Sequence, residues 1–236
     1  MWFKSKSPYE GITPDWDWSN LAPLSLDDED LVQVPWLKYY KEIYSKKQIV
    51  LHHTVSGPGI DGDLETWKKF TDHIATCVII GRDGKINQLF SSKYWGWHLG
   101  CGRKDLDSQS IAVELDSWGQ LEERGGDFYT VYGTKVEVPV THYPQGFRGE
   151  QNFESYTYKQ LKSLGELILL WNKTYNIPLK YNQDMWEVSP KALGGTPGVW
   201  THVSYRPYPQ KFDCHPDPNL IALLKNLFLF WGCIVS

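Results

Sequence analysis

From residue 48 the chain runs apolar through Ile49, Val50 and Leu51 before it reaches His52, His53 and Thr54. A run of this length with polar boundaries predicts a buried strand over 48–54, and Ser56-Gly57-Pro58-Gly59 predicts the loop that follows. Leu64, Trp67, Phe70 and Ile74 recur at helical spacing and predict a helix over 63–74. Residues 77–80 are continuously apolar, a second buried strand. Arg82-Asp83-Gly84 turns the chain, and 85–90 returns as the hairpin partner. SIAVEL, 110–115, reads as a further strand. Around Gly133, 128–132 and 135–138 read as a hairpin within an excursion, 119–152, at the domain edge. The clearest helix is 157–176. Thr157 and Gln160 have capping-box spacing, Leu161, Leu164, Ile168, Trp171 and Tyr175 share a face, and Pro178 marks the stop. A last helix, 217–236, starts with Asp217 as N-cap and Pro218 at its first position. Strands interleaved with helices predict an α/β domain with a central mixed β-sheet flanked by helices.

Before residue 46 the periodicity is lost. Residues 1–45 hold Trp2, Trp16, Trp18, Trp36, several prolines and the acidic run Asp27-Asp28-Glu29-Asp30. They read as an extension that wraps or flanks a domain over 46–236. Their rings either plug surface grooves or stack on a ligand. The 236 residues, 41% of them hydrophobic, suffice for one large domain with a substantial core. A net charge of −4 without a basic patch argues against nucleic acid as partner. The first residues show no apolar run after their lysines, so no secretory signal is expected. The apolar tail is short and broken by Lys225 and Asn226, which favours a helix packed on the domain over membrane insertion. Four cysteines without CxxC spacing argue against a disulfide framework. Cys77 and Cys101 read as buried apolar residues.

Chemistry concentrates at two places. In a strand, neighbours face opposite ways, so one histidine of His52-His53 can face a site while the other faces away. Far downstream, THVSYRPYPQKFDCHPDP places His202, Lys211, Asp213, Cys214 and His215 close together. Two imidazoles and a carboxylate with one open position is a catalytic zinc arrangement. Lys211, two residues before Asp213, falls on the same side of an extended segment, where an ammonium can stabilise an oxyanion. Glu114 interrupts an apolar strand. It is either an ordinary solvent-facing residue or a general base for an activated water.

The stretches IVLHHTVSG, CVIIGRDGKINQLF, WGWHLG, QSIAVELDSWG, YTYKQLKSLGELI and THVSYRPYPQKFDCHPDP occur in one order over about 47–225. Together they resemble the zinc-dependent N-acetylmuramoyl-L-alanine amidases of the phage-lysozyme and peptidoglycan-recognition-protein superfamily. The resemblance implies that superfamily's fold, with Zn2+ in a groove. It implies hydrolysis of the amide between N-acetylmuramic acid and L-alanine in peptidoglycan. It assigns His52, His202 and Asp213 as metal ligands, Glu114 as base and Lys211 as oxyanion stabiliser. It places His98 in the groove wall as a substrate contact, with Trp97 beside it.

Some alternatives stay open on sequence. Other branches of the family use cysteine as third ligand, and Cys214 adjoins Asp213. His215, before Pro216, is expected to cap or lie at the surface. Trp95, Trp97 and Trp118 either stack on sugars or pack. The expected activity is that of a phage-type endolysin accumulating in the cytoplasm of a bacterial host and acting at the wall. The alternatives are a cytosolic muropeptide-recycling amidase and a non-catalytic peptidoglycan-binding module.

Overall fold

The apolar run at residue 48 forms β1 (Gln48–His53), every residue of which is buried. The computed structural model describes residues 16–26, 31–70, 72–207 and 209–231. After β1 come α1 (Asp61–Lys68), β2 (Val78–Ile80), β3 (Ile86–Gln88), α2 (Lys104–Ser108) and β4 (Ser110–Leu115). A second group follows: β5 (Gln120–Arg124), β6 (Asp127–Thr130), β7 (Lys135–Val136), β8 (Val140–Phe147) and β9 (Glu150–Glu154). The chain ends with α3 (Tyr158–Tyr175), α4 (Pro190–Leu193), β10 (Gly198–Thr201) and α5 (Pro218–Trp231). No described helix is long and apolar enough to cross a membrane.

The first sheet has the order β10-β1-β4-β2-β3. β1 runs parallel to β10 and β4, β2 runs parallel to β4, and β3 closes the edge antiparallel. A parallel strand covered on both faces needs a continuous apolar sequence, which is why β1 reads QIVL before its histidines. The molecule is a mixed α/β fold.

α3 carries the anticipated reciprocal cap. The Thr157 hydroxyl accepts from the Gln160 amide, and the Gln160 side chain accepts from the Thr157 amide, each at 3.1 Å. Asn176, in the left-handed region at φ 55°, ends the helix. Gly165 lets α3 approach its neighbours. A Cβ there would lie 2.8 Å from Leu21 Cδ1 and 2.9 Å from Leu223 Cδ1 of α5. Asp217 caps α5, accepting from the Asn219 amide at 2.8 Å.

Two expectations need correction. The helix expected over 63–74 ends at Lys68, and Phe70 is largely exposed. The backbone of 73–75 is committed elsewhere: Trp97 N donates to His73 O at 2.7 Å and Ala75 N to Trp97 O at 3.2 Å. The hairpin expected around Gly133 forms as the antiparallel β6–β7 pair, but the excursion holds more than that hairpin: it is a five-stranded antiparallel sheet, β7-β6-β5-β9-β8. β5 (QLEER) and β9 (EQNFE) are mostly polar, and β8 carries a register irregularity around Pro144. None of them shows the alternation that marks a strand.

Described residues of the N-terminal stretch lie against the domain. Trp18 is buried and stacks on Tyr158 at 5.3 Å, and Tyr39 stacks on Phe90 at 4.5 Å. Tyr40 exchanges backbone hydrogen bonds with Trp95. The acidic run and the end of the last helix, 232–236, lie outside the described residues.

Candidate metal centre and active site

The C-terminal ends of three parallel strands meet at one place. In the β1–β4 ladder His52 stands beside Glu114, so both side chains leave the same face. β10 pairs with β1 as far as Leu51 and Thr201, and the chain then turns through a short 3₁₀ segment, His202–Ser204. That turn brings the His202 ring to 4.3 Å from the His52 ring, centre to centre. Val203 N donates to Asp213 O at 3.0 Å and binds the turn to the segment carrying Asp213. Asp213 Oδ2 lies 2.8 Å from His202 Nδ1 and 3.2 Å from His52 Nδ1. A tetrahedral site with arms of about 2.0–2.1 Å has ligand-to-ligand edges of ~3.3 Å. These two spacings therefore suit one small cation. Among the described residues, His52, His202 and Asp213 form the group able to hold a metal, with one ligand atom each within 4.8 Å of the others.

The far sides of both rings decide where the lone pairs point. His202 Nε2 lies 3.0 Å from the Leu99 carbonyl, an acceptor only, so in the neutral ring Nε2 carries the hydrogen and Nδ1 the lone pair. His52 Nε2 lies 3.1 Å from His98 Nδ1, His98 Nε2 lies 2.8 Å from Ser110 Oγ, and Ser110 Oγ donates to Leu106 O at 2.8 Å. Followed back from that carbonyl, the Ser110 hydroxyl accepts from His98, and His98 accepts from His52. His52 then presents its Nδ1 lone pair to Asp213. Burial drives His52 down to about 3, with His202 adding, so the ring is neutral. Burial would raise the Asp213 carboxyl, and only a charged His202, Lys211 and imidazoles that donate to it hold it well below the usual carboxylate range; neutral rings with their lone pairs turned inward give no such support. Buried acceptors thus converge on one point. A cation resolves that conflict, so the residues fit the metal.

Glu114 is buried with Oε2 lacking a partner. Burial pushes its carboxyl well above the ordinary value, and the charges of Asp213 and Asp63 add to the shift. Lys211 Nζ, partly exposed, stands 4.0 Å from Asp213 Oδ1.

Other expected residues find different places. The His98 side chain is 4% exposed and both ring nitrogens are engaged inside the protein. With both nitrogens engaged, His98 has no ring nitrogen to offer a substrate in hydrogen bonding, and it stands behind His52. Trp97 packs edge-on to Trp95 at 5.4 Å, and its indole N–H reaches Tyr40 Oη at 3.3 Å. Cys214 is fully buried and its thiol is held well above the usual range by burial, near the Tyr156 hydroxyl. His53 faces away, with Nδ1 2.9 Å from the Tyr156 hydroxyl. His215 neither caps a helix nor reaches the surface. It is fully buried, stacked on Phe153 at 4.8 Å, with Nδ1 2.8 Å from the Tyr143 hydroxyl. The second sheet supplies these rings, and Asp217 makes the cap instead.

Two residues near the site escaped the sequence reading. Asp63, in the first turn of α1, is buried with Oδ2 unpartnered, and burial raises its carboxyl to about 7. Arg82 does more than begin a turn. Its guanidinium donates twice to Glu154 at 2.8 Å, reaches Asp116, and lies 5.8 Å from the Trp118 ring centre. It joins the first sheet to the second. Nothing in the local sequence distinguishes either residue from an ordinary helix-start acid or turn cation.

A family model described as N-acetylmuramoyl-L-alanine amidase matches residues 43–218. The chain belongs to that amidase family. No curated protein matches it. Among solved structures, Staphylococcus aureus hydrolase AmiA in complex with its ligand is similar at TM-score 0.50 and 13% identity, covering 94% of this chain and 96% of AmiA. The amidase LysC from Clostridium intestinale follows at TM-score 0.49 and 14% identity, covering 83% of this chain and 94% of LysC. PlyL gives TM-score 0.48 and 16% identity over 84% of this chain and 94% of PlyL. At such identity the likeness speaks for the fold, which is that of the amidase family.

Proposed function

We propose that this amidase-family chain is a zinc-dependent N-acetylmuramoyl-L-alanine amidase of phage-endolysin type, cleaving the bond between N-acetylmuramic acid and L-alanine in peptidoglycan. The observation that carries the reading is the convergence of His52 Nδ1, His202 Nδ1 and Asp213 Oδ2, with Glu114 in register beside His52. His52, His202 and Asp213 would hold the zinc. Bound there, it supplies Lewis acidity toward the scissile carbonyl and toward the attacking water. His98 and Leu99 O keep both histidines in the ligating tautomer. Glu114 takes the proton from the attacking water and returns it to the departing alanine amine. A base for this task works best near neutrality, and burial lifts Glu114 in that direction. A cation held by Asp213 offsets one of the two charges that raise Glu114 further. The Lys211 ammonium stabilises the oxyanion of the tetrahedral intermediate.

The test is incubation with purified sacculi, with and without chelator, followed by counting of new L-alanine amino termini. Release that stops with chelator and returns with zinc supports the reading. No release with zinc restored leaves a binding module. Glu114→Ala should lower turnover by 100-fold or more, the order expected for a general base of ~10²–10⁴, while retaining zinc. Preference for intact sacculi over soluble anhydro-muropeptide favours the lysin over the recycling enzyme.

A further inference from the structure

The second sheet reaches across to the loop that leaves β1. At its tip, between β6 and β7, Val131 and Tyr132 are 51% and 70% exposed. The Tyr132 hydroxyl donates to the Val55 carbonyl at 3.2 Å. Val55 stands at φ 60°, a left-handed conformation that a β-branched residue rarely adopts. Two further contacts from the same side hold that loop. Gly119 lies so close that a Cβ would sit 3.0 Å from His53 Nε2 and 3.1 Å from Val55 Cγ2. The Trp118 ring covers Gly57, where a Cβ would come within 2.9 Å. Backbone strain of this kind is kept where surrounding structure enforces it, and it gathers at functional sites.

Val55 is three residues past His52, at most ~11 Å of extended chain. A large aromatic ring is therefore tethered by its hydroxyl to the loop that leaves the metal-ligand strand, with its body in solvent. A ring immobilised in advance loses little entropy on binding. The chemistry that suits such a ring is the C–H-bearing face of a pyranose. A glycan strand continues past the reacting muramyl residue in both directions, so polymer offers such a ring further sugars that a released fragment lacks.

We infer that Tyr132 is a substrate-binding residue, whose ring packs against a sugar of the glycan strand flanking the muramyl unit that reacts. The inference rests on the proposed function and adds to it a contact for polymer. The second sheet then acts as a specificity element that favours strands over released fragments.

The experiment compares kcat and KM of wild type, Tyr132→Ala and Tyr132→Phe on intact sacculi and on a soluble muramyl peptide with no flanking sugar. The ratio of kcat/KM on sacculi to that on the fragment should fall about tenfold in Tyr132→Ala, through KM on sacculi. Tyr132→Phe keeps the ring and frees its anchor, and should fall about threefold or less. An equal loss on both substrates would show that Tyr132 only supports the Val55 loop, and an unchanged ratio would show no sugar contact; either overturns the inference. If wild type cleaves neither substrate with zinc present, the proposed function fails first and the inference with it.

Discussion

Replacing Asp63 by asparagine should flatten part of the pH dependence of stability. Asp63 is 4% exposed, its Oδ2 has no partner, and its folded value is about 7 against an ordinary value of 3.8. Burial is the main cause, opposed by the hydroxyls of Ser56 and Thr54 and by Arg82, and aided by Asp116. Between these two values the unfolded chain has lost the proton and the folded chain keeps it. The folded state then binds more protons, so stability falls as pH rises. The contribution is intact below pH ~4, declines through pH 4–7, and is gone above. About three pKa units at 1.36 kcal/mol each give a loss on the order of 4 kcal/mol. Asparagine cannot ionise and lacks this slope. Urea unfolding of both proteins, chelator-treated so that no cation can partner the carboxylate, should be measured at unit intervals from pH 4 to 8. Acids remote from Asp63 titrate alike in both proteins and cancel in the difference, while Glu114 and Asp116, which feel its charge, contribute to the slope with it. The stability of Asp63→Asn relative to wild type should rise by up to ~4 kcal/mol across that range, whatever its offset at pH 4. A difference that stays level from pH 4 to 8 would mean that Asp63 is ionised throughout, and the argument from its burial would be wrong.

His98→Ala removes the acceptor that fixes the His52 tautomer. Zinc affinity, read by competition with a chromogenic chelator, should weaken about 10–100-fold; an unchanged affinity removes His98 as a positioning residue. Asp213→Ala should abolish stoichiometric zinc while Cys214→Ala retains it, by metal analysis after gel filtration; the reverse result would move the third ligand to Cys214. Thr157→Ala removes the hydroxyl that accepts from the Gln160 amide at the start of α3. It should cost about 1 kcal/mol in urea unfolding, against an expected range of ~0.5–2. A loss well under that range would mean the helix start is held by tertiary packing alone.

What was legible in the sequence follows from which physical costs are local. β1 and β4 must be apolar on both faces, so they announce themselves as continuous runs, and a carboxylate or histidine within such a run stands out. That contrast singled out His52 and Glu114, the segment around Asp213 stood out by its cluster of ligand-type side chains, and the structure brings them to one place. α3 was legible for a similar reason, since its cap is written within four consecutive residues. Asp63 bears the same burial cost as Glu114, yet a carboxylate in the first turn of a helix is an ordinary, favourable arrangement. Only packing against the rest of the folded chain turns it into a buried acid. His98, Arg82 and His215 are defined by partners up to 72 residues away: Ser110 and His52, Glu154 and Asp116, Tyr143 and Phe153. Beyond its β6–β7 hairpin the second sheet was missed because β5 and β9 are mostly polar in sequence, and the positions β9 buries include Asn152 and Glu154, which give no apolar pattern to read. A single-sequence reading therefore finds the groups that a site exposes to unfavourable surroundings. It misses the groups that make those surroundings, because their roles arise only when separate segments meet.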